Sequence, residues 1–457
     1  MFNKYRNMDM LHGSLWDKLA AFALPLALTS VLQQFYNAAD VMVLGRFAGD
    51  ADMAAVGNSI PVVALIVNLF VGLSLGANVV MARFIGAGRP QEAVRAMHTA
   101  LWIAMASGLG FAIAGLALTH SVISWMGVPE EIRAPAAVYL RWYFLAMPLI
   151  SLFNFEAAFF RSVGDTGTPL IALLISCSFN IAGNLIAVTV FDSGISGVAC
   201  VTLLAFGVSS AFLWWRLRRA QGLLHLSYSN LRIFEIRKAR AIVSIGMPAG
   251  VQGMVFAFSN LIIQAAINSL GPEAMAATAA AFTIENNAFC FINAFGQAAT
   301  TFTGQNCGAG DLKRCKKIFW ECLLWDEAVC AVLAVSGYLA SPWLLGLFTD
   351  SEEVVEIGML RIIWVLLPQG INAFLEVFSG AMRGYGYSLP PALTVLFCVC
   401  GERLLWVWFA FPQKPDYETL MVTYPLSWLI TVPPLAFLYI RCLRYFAPKA
   451  AGLTSRA

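Results

Sequence analysis

The sequence predicts an all-α polytopic membrane protein: twelve transmembrane helices in two six-helix lobes, related by a pseudo-two-fold axis along the membrane normal. Three observations carry this. The 457 residues are 59% hydrophobic and only 12% charged, where soluble proteins carry about 25% charged residues. Apolar runs of spanning length recur along the chain, and its second half repeats features of the first. A soluble chain of this composition would have too little polar surface to cover its core.

The apolar helices fall at 17–46, 54–84, 93–119, 132–160, 168–190 and 197–217, then at 242–269, 276–304, 316–341, 354–382, 389–411 and 419–441. A span needs about 20 apolar residues, so the longer runs are expected to tilt or to extend beyond the bilayer. The basic residues orient this layout. With the amino terminus placed in the cytoplasm, 23 of the 29 Lys and Arg fall on cytoplasmic segments. Arg46, Arg133 and Lys414 fall outside, and Arg141, Arg361 and Arg403 lie within spans. Such asymmetry predicts a multi-pass protein of the cell (plasma or inner) membrane with both termini cytoplasmic. The acidic loops 49–52 and 350–353 then face outward.

The first apolar run is too long for a signal peptide, and no cleavage site soon follows it. Ten cysteines without a CxxC pair lie mostly inside apolar runs and read as reduced, buried thiols. Four scattered histidines give no metal-ligand spacing, so no fixed metal is expected.

An offset of 222 residues brings the halves into register. Residues 49–55 (GDADMAA) meet 271–277 (GPEAMAA), and Gly86-Ala87-Gly88 meets Gly308-Ala309-Gly310. Arg161-Ser162-Val163-Gly164 meets Arg383-Gly384-Tyr385-Gly386, Pro169 meets Pro391, and with a small shift Leu24-Pro25 meets Met247-Pro248. Six spans per half means that both halves insert the same way, as in transporters built from parallel repeats. The expected division is an amino-terminal lobe over 1–216, a basic cytoplasmic linker over 217–241 and a carboxy-terminal lobe over 242–457.

These residues also carry a resemblance. The Pro25 helix running to Asp40-Val-Met-Val-Leu-Gly-Arg46, then Ala54-Ala-Val-Gly57, Gly72-Leu-Ser-Leu-Gly76, Arg161-Ser-Val-Gly-Asp165, Gly304-Gln-Asn-Cys-Gly-Ala309 and Tyr424-Pro-Leu-Ser-Trp428 stand in order across about residues 15–445. The chain resembles the bacterial branches of the multidrug and toxic compound extrusion (MATE) transporters. The resemblance implies an antiporter that expels amphipathic, often cationic small molecules against an inward flow of protons or sodium ions. It implies no cofactor besides the coupling ion.

Asp40 is the residue that most needs a reason, because a charge at membrane depth is costly and usually functional. Gln33, Asn37 (or Tyr36) and Asp40 follow i, i+4 (or i+3), i+7 spacing and are expected to share a face turned inward, opposite Leu28, Val31, Leu32, Phe35 and Val43. At the helical rise, Asp40 lies about 9 Å from Arg46. A carboxyl there can hold a proton or a cation, and switching between the two would let an ion gradient bias two conformations; the bland alternative is a static aspartate that fixes packing. Ser176, Asn180 and Asn184 form a second stripe, one residue every four.

The resemblance implies a proton or cation site at Asp40, Tyr139, Asn154, Asn180, Asn184 and Thr202. The family usually has aspartate where Asn184 stands. That puts a two-carboxylate sodium site in doubt, although a transient sodium at Asp40 stays open, and the reading leans toward protons. For Tyr139 and Thr202 ordinary interhelical packing is the alternative.

The second half has no acid at the position matching Asp40, where Ile262 or Ile263 falls. Its polar stripes are Asn260, Gln264 and Asn268, and Gln369, Asn372, Glu376 and Ser379. Glu376 first, then Glu285 and Glu402, are candidates for holding a cationic substrate or a coupling cation; the alternative is structural pairing with Arg361 or Arg403. Glu156 is expected to meet Arg161 or water, and Asp326 and Glu327 are left without a role.

The runner-up function is a flippase for a lipid-linked substrate, but its cavity should be strongly basic and only three arginines lie within spans. No HExxH, GxSxG or ATP-binding motif points to an enzyme or a pump. The expected partners are small organic molecules and the lipid bilayer, with no nucleic acid, and the chain is expected to be a monomer.

Overall fold

The computed structural model describes residues 8–47, 49–220, 225 and 232–454. Residues 221–224 and 226–231 of the expected linker lie outside them, as do the terminal Lys4, Arg6 and Arg456. Among the described residues there are helices and turns but no strand.

The first half comprises α1 (Trp16–Phe47), α2 (Asp50–Gly86), α3 (Pro90–Trp125), α4 (Glu130–Ser162), α5 (Gly167–Thr189) and α6 (Gly194–Arg219). The second comprises α7 (Ile236–Asn268), α8 (Pro272–Gly308), α9 (Leu312–Gly346), α10 (Glu352–Arg361), α11 (Gln369–Gly384), α12 (Leu389–Val395), α13 (Glu402–Leu405) and α14 (Tyr417–Thr454). Helices α10 and α11 together form the tenth span, and α12 and α13 lie in the eleventh.

Eleven of the twelve expected spans are long and apolar enough to cross a membrane. The exception is α8. It has ample length, 37 residues, but it carries Glu285, Asn286, Asn287, Asn293, Gln297, Gln305 and Asn306, which dilute its apolar character.

The repeat shows itself in backbone conformation. Gly49 and Gly271 have φ of 108° and 107°, Gly88 and Gly310 67° and 81°, Gly164 and Gly386 88° and 74°. Each pair is separated by the 222-residue offset and stands at a helix end, where positive φ favours glycine and reverses the chain. The tenth and eleventh spans break the regular pattern. Pro368 has no N–H to donate, and the turn before it widens over Ile362–Leu366, with Leu367 N bonded to Ile362 O at 3.1 Å. Wide turns at Leu396–Gly401 and Trp406–Ala410 flank Glu402–Leu405.

The chain separates into two compact units. The first contains 28–81 and 89–250, the second 9–27, 82–88 and 251–457, so the start of α1 and the end of α2 belong with the second unit. Small residues set close packing inside each. A Cβ added at Gly108 of α3 would lie 2.5 Å from Pro148 Cα of α4, and one at Gly380 of α11 would lie 2.2 Å from Gly296 O of α8. Helices approach this closely where side chains are absent.

Candidate functional site

In the first unit, α1, α5 and α6 bring four polar side chains into a closed ring. Asn184 Nδ2 donates to Asp40 Oδ1 at 2.6 Å and to Asn180 Oδ1 at 3.2 Å. Asn180 Nδ2 donates to Thr202 Oγ1 at 3.3 Å, and Thr202 Oγ1 donates to Asp40 Oδ2 at 3.1 Å. All four residues are buried, Asp40 with 3% of its surface exposed. The four-residue spacing of Asn180 and Asn184 puts them one above the other on α5. Tyr36, one turn before Asp40, bonds Thr202 O at 3.3 Å and so fastens α1 to α6. Asp40 forms no ion pair among the described residues.

The ring has a direction. Both of its ends point hydrogens at the carboxylate, so the arrangement suits a charged Asp40. Protonation would force one link to reverse. Asn184 Oδ1 is buried without a partner, and a turned amide would offer it to the new O–H. Asp40, with the neutral oxygens of Asn184, Asn180 and Thr202, is also the set that could hold a small cation. Among the described residues no three His, Cys, Asp or Glu side chains gather to ligate a metal.

The other expected members sit differently. Tyr139 is buried and lies close enough to Asp40 to interact electrostatically, as does Tyr143, their rings 5.8 Å apart. Asn154 turns to its own helix and bonds Ile150 O at 2.9 Å. Gln33 and Asn37 are exposed, while Tyr36, Ala39, Asp40 and Val43 are buried. The buried face of α1 is therefore the 36–39–40–43 stripe, and the expected face of Gln33 and Asn37 is rotated away from Asp40. Val43, expected opposite Asp40, is buried with it.

In the second unit the acids have basic or neutral partners. Glu285 is held by Arg361, with Nε on Oε2 at 2.9 Å and Nη2 on Oε1 at 2.5 Å. Glu402 accepts from Thr423 Oγ1 at 3.0 Å and forms no ion pair with the adjacent Arg403. Arg403 instead bonds Asn260 Oδ1 at 3.0 Å and Ser427 Oγ at 3.3 Å and lies over the Tyr424 ring. Glu376 lies 3.9 Å from Arg383 Nη1. Asn372 donates to Gln369 at 3.2 Å, and Gln264 to Asn268 at 2.9 Å. Asp326 is fully buried; Cys330 Sγ lies 3.8 Å from its Oδ1, and its Oδ2 has no partner. Glu327, partly buried, lies against Gly370. The three candidate acids Glu285, Glu376 and Glu402 thus have separate partners rather than one common site.

Sequence reasoning gave Tyr36 only as an alternative to Asn37 and missed Tyr143; an aromatic at the i−4 position of a buried acid was the available signal. It also gave Glu156 the wrong surroundings. That side chain meets Ser210 Oγ at 2.8 Å rather than Arg161 or water.

Comparison with known proteins identifies the family and the fold. The MatE family model matches residues 25–186 and 248–406. The chain is 26% identical over 436 residues to the probable multidrug resistance protein YoeA of Bacillus subtilis, covering 92% of each chain. It is 25% identical to the probable multidrug resistance protein NorM of Thermotoga maritima, covering 85% of this chain and 84% of that one. Its fold matches the crystal structure of the Vibrio cholerae MATE transporter VcmN in the bent form, with a TM-score of 0.85, 20% identity, and coverage of 94% and 97%.

Proposed function

The chain belongs to the MatE family of multi-pass membrane transporters, and on that premise we propose that it is an antiporter that exports amphipathic, often cationic small molecules, driven by protons or sodium ions. Asp40 is the coupling group. The observation that carries this reading is a carboxyl buried at membrane depth, held by neutral donors on α5 and α6 and by no cation.

Isolating a charge from water is expensive unless it is paired. Asp40 therefore takes either a proton or a borrowed cation, and each choice demands a different hydrogen-bond arrangement of the ring. Because the ring ties α1 to α5 and α6, a change of charge state alters the link between those helices. Differential ion affinity between two conformations is what lets a gradient move the equilibrium. Asn184 in place of a second acid favours protons, since one carboxylate with neutral oxygens is a weaker seat for sodium. Both termini lie in the cytoplasm in this reading, and the working unit is the monomer.

The test uses proteoliposomes loaded with a fluorescent cationic dye and given a proton or a sodium gradient separately. Parent protein moves dye under one gradient and Asp40→Asn does not. Dye movement under neither gradient, or equal export by the mutant, sinks the proposal.

A further inference from the structure

Asp40 is not alone among acids that the first unit buries without a cation. Glu156 on α4 has 0% of its surface exposed. Its Oε2 accepts the Ser210 hydroxyl of α6 at 2.8 Å, and its Oε1 is buried without any hydrogen-bond partner. Among the described residues Glu156 forms no ion pair. Arg161, five residues further along α4, points about 140° away around the helix. Helix α3, packed along α4, carries His98, whose Nδ1 lies 2.8 Å from Val94 O. Helix α6 carries Arg216, and among the described residues no ion pair joins it to Glu156.

A carboxylate so placed would leave one charged oxygen desolvated and unpaired, which is unfavourable. A neutral carboxylic acid fits the site far better, yet glutamine would supply a neutral polar group without any ability to ionise. What a glutamate adds is the ability to gain and lose a proton.

Its position gives that ability a use. Thr202, in the Asp40 ring, and Ser210, on Glu156, are eight residues apart on α6, which is about 12 Å. Polar groups stand between them. Ser176 of α5 bonds Ala205 O at 2.7 Å, and Ser209 bonds Phe206 O at 2.9 Å. Beyond Ser210, α6 runs to Arg216, Arg218 and Arg219, and beyond Glu156, α4 runs to Arg161.

We propose that Glu156 is a second proton-binding site of this transporter, loaded and emptied between Asp40 and the basic ends of α4 and α6. One proton adds to the carboxylate to give the neutral acid, and the same proton leaves to water; no other reactant is consumed. Their contacts on α6, Thr202 and Ser210, are about 12 Å apart along the helix, well beyond hydrogen-bond reach, so the two acids act as separate stations. The direction of flow, inward from Asp40, rests on the antiport reading; the binding of a proton at Glu156 does not.

Infrared difference spectra of the liposome-embedded protein between alkaline and acidic pH test the binding itself. Among the carboxylic-acid bands that the parent gains, one is expected to be lost in Asp40→Asn and another in Glu156→Gln. Ser210→Ala keeps the second band but shifts it, which preserves the test if Glu156→Gln does not fold. A Glu156→Gln spectrum identical to the parent's, or a Ser210→Ala spectrum with no shifted band, overturns the proposal. Absence of dye movement under either gradient would instead refute the antiport reading, while the Glu156 band would still report proton binding.

Discussion

Removing the guanidinium of Arg361 separates a structural Glu285 from a coupling one. The two residues are 3% and 5% exposed and meet through a two-pronged contact at 2.9 and 2.5 Å. The guanidinium also lies 5.6 Å from the Phe282 ring and 5.4 Å from the Tyr424 ring. Breaking a buried pair by deleting one partner costs about 3–5 kcal/mol, because the remaining charge is left uncompensated. Arg361→Met, which keeps the apolar stem, should therefore lower the melting temperature on the order of 10 °C. The double variant Glu285→Gln with Arg361→Met removes both charges and should recover most of that loss, giving a coupling energy of about 3 kcal/mol. Thermal unfolding of detergent-solubilised protein across the four variants measures it, with dye export run in parallel. If Arg361→Met melts like the parent, or the double variant melts no higher than the worse single, the pair does not hold the second unit together. A Glu285→Gln that melts normally but exports nothing would return Glu285 to the list of coupling groups.

Three further outcomes follow from particular contacts. Thr202→Val deletes both a donor to Asp40 and the acceptor of Asn180, and should destabilise by about 1–3 kcal/mol and displace the pH profile of dye export; Thr202→Ser should restore both, and equal behaviour of the two variants would dismiss the hydroxyl. Asn184→Asp places a second carboxylate where an amide now stands 2.6 Å from Asp40. Two such charges need a shared proton or a cation, so sodium should raise the melting temperature of this variant more than that of the parent, and an equal response would refute the ring as a cation seat. Gly108→Val drives a side chain into Pro148, whose Cα would lie 2.5 Å from the new Cβ; a loss of about 1–3 kcal/mol is expected, and a normal melt would show that α3 and α4 can separate at little cost.

Periodicity and the internal repeat made most of the fold legible, because both are imposed by local requirements. A span must be apolar over its length, and a reversing helix end must tolerate positive φ, so the glycine pairs 49 and 271, 88 and 310, and 164 and 386 appear in sequence and in backbone alike. Helix α8 was recognisable by its length and by its place in the repeat, even though its amides lower its hydropathy. The stripe of Asn180 and Asn184 was legible because polar residues four apart on one helix must share a face. What sequence could not supply was rotation. Gln33, Asn37 and Asp40 fit one stripe as well as Tyr36, Ala39, Asp40 and Val43 fit another, and only packing against α5 and α6 chooses the second. Partner choice was equally hidden. Arg361 was an evident candidate for Glu285, but nothing local distinguishes that pairing from one with Arg403, which turns instead to Asn260 and Ser427.

The partners of the buried acids then divide the labour between the two units. An acid beside a buried guanidinium, such as Glu285, keeps its charge in any conformation that preserves the pair, so it contributes a fixed field. Glu376, 3.9 Å from Arg383, also has a basic group at hand. Asp40 and Glu156 have only neutral donors, and their charge must be settled each time by what the surroundings offer. A gradient can act only through groups whose occupancy differs between states. Under the proposed antiport, the first unit would hold the groups that respond to the ion, while the arginine-held acids of the second would keep a fixed charge pattern. Two acids of the second unit are not arginine-held: Glu402, bonded to Thr423 Oγ1, and Asp326, buried beside Cys330 with one oxygen unpartnered. If the division is right, Asp326→Asn leaves the ion dependence of export unchanged; a changed ion dependence would place a sensing group in both units.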